Sequence, residues 1–544
     1  ELPVTSAELL MVDPGLTAGG SNAVVPATGV AAGYLAADVF TNTTGSTLNV
    51  TYTVIPKSAA NCFGASKTIT ITINPQPVMS TTLDATKCSD LPIALVLNTN
   101  GTSVGAASYN ITARSISAGL TPSIANAAVP ANTVAANYLS NDVFTNTGAV
   151  SRTVTYTVVP VSSGGCLGAA RIITMTIDPE PVVSTTLDAT VCSNLPIGLT
   201  LNTNGTSVAA LNYNVTAVSA AAGLTAGAGN AAVPANLVAA NYLAGDTYRN
   251  VGAVPLTVTY TVVPISAAGC VGDSKVITMT ISPEPVMSNT LDATVCSQVA
   301  TGLTLNTNGT SIGAASYSVT AVTIAPGLTP GVTNAVIPAS SVAANYLATD
   351  KFTNTGAAAL TVQYTVEALS ASGCPGPSKV ITITINPEPV VSTLLDATVC
   401  SDTGIGLTLA TNGISVAAAS YNVTSRTIAG GLTASAGNAP VPASGVAANY
   451  LAADSYVNLT TLPLNVTYAV SPVSAAGCAG SARTITITIN PEPAVSTTLD
   501  ATVCSDAAIG LTLSTVATAV AASNYNITAK VVAAGLTGDP GNVA

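Results

Sequence analysis

Residues 154–181, VTYTVVPVSSGGCLGAARIITMTIDPEP, decide the organisation of the chain, because close relatives of this stretch recur along the whole sequence. The interval can be read from two series of cysteines that both advance by 104 residues (166 − 62 and 192 − 88). The first series is Cys62, Cys166, Cys270, Cys374 and Cys478, and the second is Cys88, Cys192, Cys296, Cys400 and Cys504. A fixed repeat of this length predicts a tandem array of small domains. Its surface loops never change length although loops tolerate insertions well, which suggests that they also contact other chains.

The composition predicts a surface with few charges. Only 37 of the 544 residues are charged, 13 basic and 24 acidic, against about a quarter in an ordinary soluble protein. Thr, Ser, Asn and Ala must therefore cover the surface, which favours lateral packing of chains over dispersed monomers. The net charge of −11, without a basic cluster, argues against binding to nucleic acid or to an anionic membrane.

The apolar segments are too short for membrane spans. Thr, Asn, Gly and Pro interrupt each of them before it could cross a bilayer as a helix, and Glu1 does not begin a signal peptide. We therefore expect no membrane span in this sequence.

Pairs of prolines around a single residue mark the ends of the repeats, at 75–77, 179–181, 283–285, 387–389 and 491–493. Such pairs favour a stiff, extended connection, so successive domains should lie nearly end to end as a semi-rigid rod. The predicted domains are a partial repeat at 1–77 that holds the C-terminal part of a repeat, full repeats at 78–181, 182–285, 286–389 and 390–493, and a partial repeat at 494–544 that holds the N-terminal part.

The two partial repeats overlap in phase, since Ala544 corresponds to Val24 five repeats earlier. We prefer the interpretation that the sequence is a piece of a longer polypeptide. The alternative is a split domain, in which residues 1–77 of one chain complete residues 494–544 of the next by strand complementation.

The first part of a repeat is predicted to hold a hairpin. In residues 182–285, Leu199 and Leu201 alternate with polar residues up to the pair at 204–205, Asn-Gly, which is typical of a tight turn between strands. The partner strand would follow at 213–216. The Ala-, Gly- and Pro-rich passage after it predicts loops and short edge strands, with a helical turn near Val238–Leu243 as the alternative.

The last third of a repeat carries the clearest period-2 pattern. Val258, Tyr260 and Val262 alternate with threonines, and residues 276–281 repeat the pattern after a glycine-rich turn. About seven strands per repeat predict an all-β fold of tandem immunoglobulin-like Greek-key β-sandwiches. The tyrosine of this strand recurs in every repeat, and we expect it in the core with its hydroxyl at the rim: Tyr52, Tyr156, Tyr260, Tyr364 and Tyr468.

The pattern VTYTVxPxSxxGCxG, the following ITITI-type strand, the Pro-Glu-Pro boundary and the Cys-Ser pairs at 192–193 and 400–401 resemble the PKD-like, immunoglobulin-like repeats of giant surface proteins of Bacteroidota. The resemblance covers the chain beyond residue 15. It implies a cell-surface or extracellular location, export by the type IX secretion route, and a place in gliding-motility adhesins or in extracellular filaments such as the grappling hooks of predatory marine members. The Trp-containing motif of PKD domains proper is missing, because the chain has no Trp.

Ten regularly spaced cysteines suit an oxidising exterior and predict disulfide bonds. Two pairings are open. Pairing inside a repeat joins Cys88–Cys166, Cys192–Cys270, Cys296–Cys374 and Cys400–Cys478 and leaves Cys62 and Cys504 without partners. Pairing across a boundary, as in Cys62–Cys88, would satisfy all ten. The loop entropies differ too little to decide, and we predict the pairing inside each repeat because it keeps each domain self-contained.

Patterns of catalytic or metal sites are weak, and we expect no catalytic, cofactor-binding or metal-binding residues. The stretches 101–105 and 309–313 fit the G-x-S-x-G nucleophile pattern, but the chain has no His to act as base. Zinc is disfavoured because Cys-x-x-Cys spacing is also absent. Calcium stays a weaker alternative, since it needs several clustered oxygens. The recurrent single aspartates are predicted to cap turns: Asp84, Asp188, Asp292, Asp396 and Asp500, and Asp142, Asp246, Asp350 and Asp454.

Two functions follow from these expectations. The first is a structural segment of a very long extracellular filament or surface fibre used for attachment or capture, whose partners are copies of the same chain packed laterally or end to end. The second is the stalk of a monomeric cell-surface adhesin, with binding to surface glycans or proteins placed in regions outside this sequence. We do not expect an enzyme.

Overall fold

The structure, a computed structural model, describes residues 11–542. Within these residues the chain is all-β, without a helix, and the strands recur with a period of 104 residues. The fold prediction is confirmed, because each of the four full repeats contains seven strands.

The strands are numbered along the chain. The partial repeat before Val78 holds β1 (Met11–Val12), β2 (Leu16–Ala18), β3 (Phe40–Asn42), β4 (Leu48–Val54) and β5 (Lys67–Ile73). The first full repeat holds β6 (Ala85–Cys88), β7 (Ala106–Ile116), β8 (Thr121–Pro122), β9 (Ala131–Val134), β10 (Phe144–Thr145), β11 (Arg152–Ser162) and β12 (Arg171–Asp178). The second holds β13 (Ala189–Cys192), β14 (Ala210–Ala220), β15 (Leu224–Ala226), β16 (Ala235–Val238), β17 (Tyr248–Asn250), β18 (Leu256–Ser266) and β19 (Lys275–Ser282).

The last two full repeats follow the same order. The third holds β20 (Ala293–Cys296), β21 (Ser316–Ile324), β22 (Thr329–Pro330), β23 (Ala339–Val342), β24 (Phe352–Thr353), β25 (Leu360–Leu369) and β26 (Lys379–Asn386). The fourth holds β27 (Ala397–Cys400), β28 (Ala418–Ile428), β29 (Leu432–Ala434), β30 (Ala443–Val446), β31 (Tyr456–Asn458), β32 (Leu464–Ser474) and β33 (Arg483–Asn490).

Each full repeat combines a five-stranded sheet with a two-stranded sheet. In the first full repeat the order of the large sheet is β6-β12-β11-β7-β9, and the small sheet pairs β8 with β10. All neighbours are antiparallel except the first and last strands, β6 and β12, which run parallel. The parallel pair places the end of β6 beside the end of β12, and this position controls the disulfide bonds described below.

The core lies between the large sheet and the remaining segments of the repeat. In β11 and β12 alternate residues such as Val154, Tyr156, Ile173 and Met175 are fully or almost fully buried, as the period-2 pattern predicts. They pack against extended and turn residues that include Leu97. Burying each large apolar side chain stabilises the fold by about 1.5–3 kcal/mol, so each repeat has a core of its own.

The predicted hairpin in the first part of the repeat is wrong. Leu199 and Leu201 are buried, but their segment is outside the strands, and the Leu201 N–H donates to the carbonyl of Ala240 in a turn (2.8 Å). Asn204 does not open a two-residue turn, because its side-chain Oδ1 accepts the N–H groups two and three residues later, at 3.0 and 2.8 Å. The asparagine therefore satisfies the backbone locally, which competes with strand pairing.

The passage that follows is made of short strands and consecutive turns. Around the proposed helical turn, Tyr242 N–H bonds to Ala239 and Ala244 N–H bonds to Asn241, both at i to i + 3 spacing (3.1 and 3.0 Å). Such bonds close single turns, so the prediction of loops and edge strands describes this passage and the helical alternative does not.

The described residues form two compact units. The first runs up to Asn250 and includes Pro255–Ser282, and the second comprises Val251–Val254 and the residues from Pro283 onward. Each unit contains junctions between successive repeats.

Candidate functional site

The boundary between two repeats is held by backbone hydrogen bonds rather than left as a free linker. The first two full repeats meet at residues 179–181, and their boundary is called the first junction. There the Glu180 N–H donates to the carbonyl of Asn146 (3.0 Å), and only 4 % of Glu180 is exposed. In the second unit, Glu388 N–H donates to Asn354 in the same way (2.9 Å). The boundary is thus part of the folded structure on its N-terminal side.

The tip between the last two strands of a repeat reaches back to the preceding boundary. At Gly272 an added Cβ would lie 1.9 Å from the carbonyl oxygen of Pro181, so only glycine permits this approach. The same clash recurs at 1.9 Å for Gly168 with Pro77, and at 1.8 Å for Gly376 with Pro285 and Gly480 with Pro389. The second glycine of the GCxG motif is therefore a packing residue of the junction.

A second contact joins the other side of the junction. Val208 N–H donates to the carbonyl of Gly148 in the preceding repeat (2.9 Å), and Val416 N–H donates to Gly356 (3.0 Å). Between the two contacts of the first junction lies a shallow cleft of about 430 Å³, lined among others by Val150, Asp178 and Ser266. In its lining the Ser151 hydroxyl donates to Oδ1 of Asp178 (2.6 Å), and the chain has no His that could act as a base beside them.

The disulfide bonds join successive repeats, which corrects our prediction of pairing inside each repeat. Cys88 bonds to Cys270 and Cys296 bonds to Cys478, each across a sequence separation of 182 residues and with a Cα–Cα distance of 5.3 Å. The predicted pairs Cys88–Cys166, Cys192–Cys270, Cys296–Cys374 and Cys400–Cys478 are therefore wrong, and so is the alternative Cys62–Cys88. Cys192 and Cys374 are also disulfide-bonded.

The parallel strand pair explains why Cys88 cannot reach Cys166. Cys88 ends β6 opposite Asp178, at the C-terminal end of its repeat. Cys166 lies in the tip that ends at Gly168, which packs on Pro77 at the opposite end of the same repeat. A disulfide bond needs Cα atoms within about 7 Å, so the partner of Cys88 has to come from the next repeat.

Four cysteines are free thiols: Cys62, Cys166, Cys400 and Cys504. The lack of a partner for Cys62 and Cys504 agrees with the prediction, whereas Cys166 and Cys400 were expected to be bonded.

Carboxyl groups meet at the first junction. Burial, a hydrogen bond with Asp90 and the carboxylates of Asp90 and Asp273 raise the pKa of Glu180 from 4.5 to about 7. Asp90 belongs to the same repeat as Glu180, and Asp273 follows the tip glycine of the next repeat. In the second unit the position of Asp90 is Gln298, whose amide donates to both oxygens of Glu388 at 2.7 and 2.9 Å.

The recurrent tyrosines are core residues, as predicted, but their hydroxyls are buried rather than at the rim. Tyr156 is 0 % exposed, and its hydroxyl donates to Oδ2 of Asp142 at 2.6 Å. Burial and this bond raise the pKa of Tyr156 above its usual range, and the same two causes raise the pKa of Tyr52 to about 12. The pairs Tyr260–Asp246, Tyr364–Asp350, Tyr468–Asp454 and Tyr52–Asp38 repeat the contact at 2.7 Å.

The predicted turn caps have more specific roles. Asp142 accepts the N–H of Ala127 through its other oxygen (2.7 Å), so it connects a loop to the core tyrosine. Asp84 is the residue before β6, and its carboxylate accepts the N–H of Thr174 in the neighbouring strand β12 (2.9 Å). Asp188, Asp292 and Asp396 accept the N–H of the equivalent threonine in the last strand of their own repeats. Asp500 belongs to the last, partial repeat.

The sequence reasoning missed a buried asparagine. Asn146 is 0 % exposed, and its amide donates to the carbonyls of Val150 and Ile177 at 3.0 and 2.8 Å. The main-chain carbonyl of Asn146 accepts the hydrogen bond from the Glu180 N–H at the repeat boundary. The available signal was an asparagine in phase in every repeat, since Asn42, Asn250, Asn354 and Asn458 are buried at the equivalent positions.

Candidate catalytic and metal sites find no structural support in residues 11–542. Ser103 of the G-x-S-x-G stretch accepts the N–H of Val78 and donates to the carbonyl of Val104, so it is a structural residue. Among the described residues there is no group of three or more His, Cys, Asp or Glu side chains that could hold a metal ion. The described part of the chain also contains no helix that is long and apolar enough to cross a membrane.

Solved structures of low similarity span most of the chain. Protocadherin gammaB7 EC3–6, in a cis-dimer structure, is 12% identical over 76% of this chain and 100% of its own, with a TM-score of 0.19. Drosophila N-cadherin EC1–4 is 10% identical over 75% and 99%, with a TM-score of 0.16. The sialic acid binding region of a Streptococcus sanguinis adhesin is 13% identical over 76% and 98%, with a TM-score of 0.15.

No curated protein matches the sequence. The sequence does match the family described as PKD-like domain, over residues 21–77, 85–181, 189–285, 293–389 and 397–493. The five matches cover most of the chain, and each of them ends at a Pro-x-Pro boundary. The chain belongs to the PKD-like domain family, as a tandem array of five matched repeats.

Proposed function

We propose that the chain is a structural segment of a very long extracellular filament or surface fibre, used for attachment or capture. The observation that carries this proposal is the junction, where a disulfide bond, backbone hydrogen bonds and a glycine contact tie one repeat to the next. Domains that only display a binding surface gain little from such junctions, whereas a fibre under tension needs them.

The surface of the repeats supports packing between copies of the chain. The outward face of the large sheet carries rows of threonine across neighbouring strands, for example Thr86, Thr176 and Thr153 in the first full repeat. The same row recurs as Thr190, Thr280 and Thr257 in the second. Uncharged rows of this kind oppose no like charges when two chains meet side by side, so the partners are copies packed laterally or end to end.

The location follows from the cysteines. Disulfide bonds persist in oxidising surroundings, and the bonds between repeats would be lost in a reducing cytosol. An extracellular or cell-surface location is therefore proposed, and the resemblance of the motifs supports a Bacteroidota origin and type IX export. The repeats would act without an enzymatic activity and without a bound cofactor, with calcium as the weaker alternative.

A stalk of a monomeric adhesin is the second candidate, because the same junctions would also stiffen a single chain. Its contacts with surface glycans or proteins would lie in regions outside this sequence. Electron microscopy of native material separates the two: ordered fibres of several chains are expected for the filament, and isolated beaded strands would contradict it and favour the stalk.

A further inference from the structure

Two of the disulfide bonds, Cys88–Cys270 and Cys296–Cys478, enclose most of the four full repeats in covalent loops. The bond Cys88–Cys270 closes a loop over nearly all of the first two full repeats, and Cys296–Cys478 closes one over nearly all of the next two. Each loop has a separation of 182 residues, longer than one repeat. Each disulfide bond therefore joins two successive repeats across their junction instead of linking two residues of one repeat.

We propose that these bonds form a strap that carries tension past the folded repeats. The strap consists of the two disulfide bonds and the segment 270–296 that joins them. A force applied at the two ends of the chain enters at Cys88, crosses to Cys270, follows the 26 residues to Cys296 (296 − 270) and crosses to Cys478. The residues inside the loops lie in parallel with a covalent bond, so the force cannot stretch them.

The lengths show how strong this effect is. The 390 residues between Cys88 and Cys478 (478 − 88) would extend to about 1,300 Å as an unfolded chain, at about 3.4 Å per residue. The 26 residues of the strap extend to about 90 Å on the same scale. The strap thus removes more than nine tenths of the extension that unfolding could otherwise give.

The one peptide segment of the strap is itself held in a sheet. It contains β19, which pairs with β18 over residues 275–281 on one side and with β13 over residues 279–282 on the other. Three of its side chains, Ile277, Met279 and Ile281, are at most 1 % exposed. To extend the strap, the force must shear β19 out of the middle of a sheet, which breaks its hydrogen bonds together rather than one by one.

The strap goes beyond the proposed function, since it holds equally for a filament and for a stalk. While the bonds are intact it limits extension between Cys88 and Cys478 to the 26 residues of the strap, and reduction of the bonds removes this limit. A reductant of the phosphine class supplies the electrons for the test: the phosphine cleaves each disulfide bond, and one water molecule supplies the oxygen of the phosphine oxide and the two protons of the thiols.

Single-molecule force spectroscopy on the full chain tests the strap, with handles attached through terminal peptide tags so that no cysteine is modified. The oxidised chain is expected to yield no unfolding step of a whole repeat between Cys88 and Cys478. Reduction of the folded chain under tension is expected to add about 1,200 Å of contour length, the 364 residues released at about 3.4 Å each. Whole-repeat unfolding steps in the fully oxidised chain would overturn the strap.

Two serine variants sharpen the test. Replacing the six bonded cysteines at 88, 192, 270, 296, 374 and 478 should give the long extension without a reductant. Replacing the free thiols Cys62, Cys166, Cys400 and Cys504 should leave the oxidised chain as short as before. If the sixfold variant does not fold, reduction of the folded wild type still decides, because an unchanged contour length on reduction would contradict the strap.

Discussion

Glu180 occupies an unfavourable position, because the neighbouring groups include two further carboxyls. Its pKa is raised to about 7, so the folded chain holds a proton there more tightly than the unfolded chain does. The stabilisation linked to this proton is fully present below pH 4.5, declines between pH 4.5 and 7, and is lost above pH 7. Substitution Glu180→Gln should abolish this decline and raise stability at pH 8, by about 3 kcal/mol for a pKa that rises from 4.5 to about 7. Calorimetric unfolding between pH 4 and 8 measures it.

The third full repeat offers the matched control. Gln298 donates to Glu388 where the first full repeat has Asp90, so Gln298→Asp should create the same carboxyl pair in the second unit. A new decline in stability between pH 4.5 and 7 is expected for this variant. A pH profile of unfolding that is identical in wild type, Glu180→Gln and Gln298→Asp would contradict this interpretation of the junction.

The buried tyrosine–aspartate pairs predict a graded effect of removing one hydroxyl. Tyr364→Phe leaves Asp350 without that donor, and an unsatisfied buried acceptor costs about 1–3 kcal/mol. Tyr156→Phe should cost less, because Arg114 lies 3.5 Å from Asp142 and Val322 stands at the equivalent position of the third full repeat. Comparison of the two variants by thermal unfolding checks the order. Equal losses would show that the arginine does not compensate.

These residue-scale contacts were only half visible in the sequence. A tyrosine flanked by alternating valines and threonines predicts a core position, and this is confirmed for Tyr156. Its partner Asp142 lies 14 residues earlier in a loop, where a single aspartate predicts only an ordinary turn residue. A tertiary contact of this kind leaves no periodic signal, so the burial of the tyrosine was predictable and the partner of its hydroxyl was not.

At the scale of elements, the tip between β18 and β19 should tolerate no side chain at Gly272. A Cβ would lie 1.9 Å from the Pro181 carbonyl, so Gly272→Ala must push the tip away from the boundary and strain the neighbouring bond Cys88–Cys270. Gly269 offers a control at the same tip, because a Cβ there would meet nothing within 4 Å, although its φ of 81° favours glycine.

Gly272→Ala is expected to form the Cys88–Cys270 bond more slowly during oxidative refolding. Non-reducing gel electrophoresis of samples taken during refolding measures the rate of bond formation. Gly269→Ala should be destabilised only through its backbone conformation, by about 1 kcal/mol, and should still form the bond. Normal bond formation in Gly272→Ala, or an equal defect in both variants, would contradict the close approach of the tip to the boundary.

Elements with a strong period were predictable and the others were not. The strands β18 and β19 follow the predicted alternation, because half-buried strands in a sheet impose period 2 on the sequence. The segment of Leu199 and Leu201 also alternates, yet it bonds to turns and the side chain of Asn204 replaces the expected hairpin. Alternation reports which side chains are buried, and it cannot tell a ladder strand from an extended segment that covers the core.

At the scale of the whole molecule, the sequence predicted tandem repeats and disulfide bonds but not which cysteines pair. The fixed interval places every cysteine of a series at the same point of its repeat, so spacing alone leaves pairing within and between repeats equivalent. The parallel pair β6 and β12 decides, because it puts Cys88 at the far end of its own repeat from Cys166. A parallel edge strand is set by tertiary packing and leaves no pattern of its own.

Peptide mapping of the native, unreduced chain tests the central claim that successive repeats are tied covalently. The account predicts that a peptide holding Cys88 is linked to one holding Cys270, that Cys296 is linked to Cys478, and that Cys166 and Cys400 are recovered as free thiols. Recovery of Cys88 linked to Cys166, or of Cys400 linked to Cys478, would contradict the claim and return each bond to a single domain.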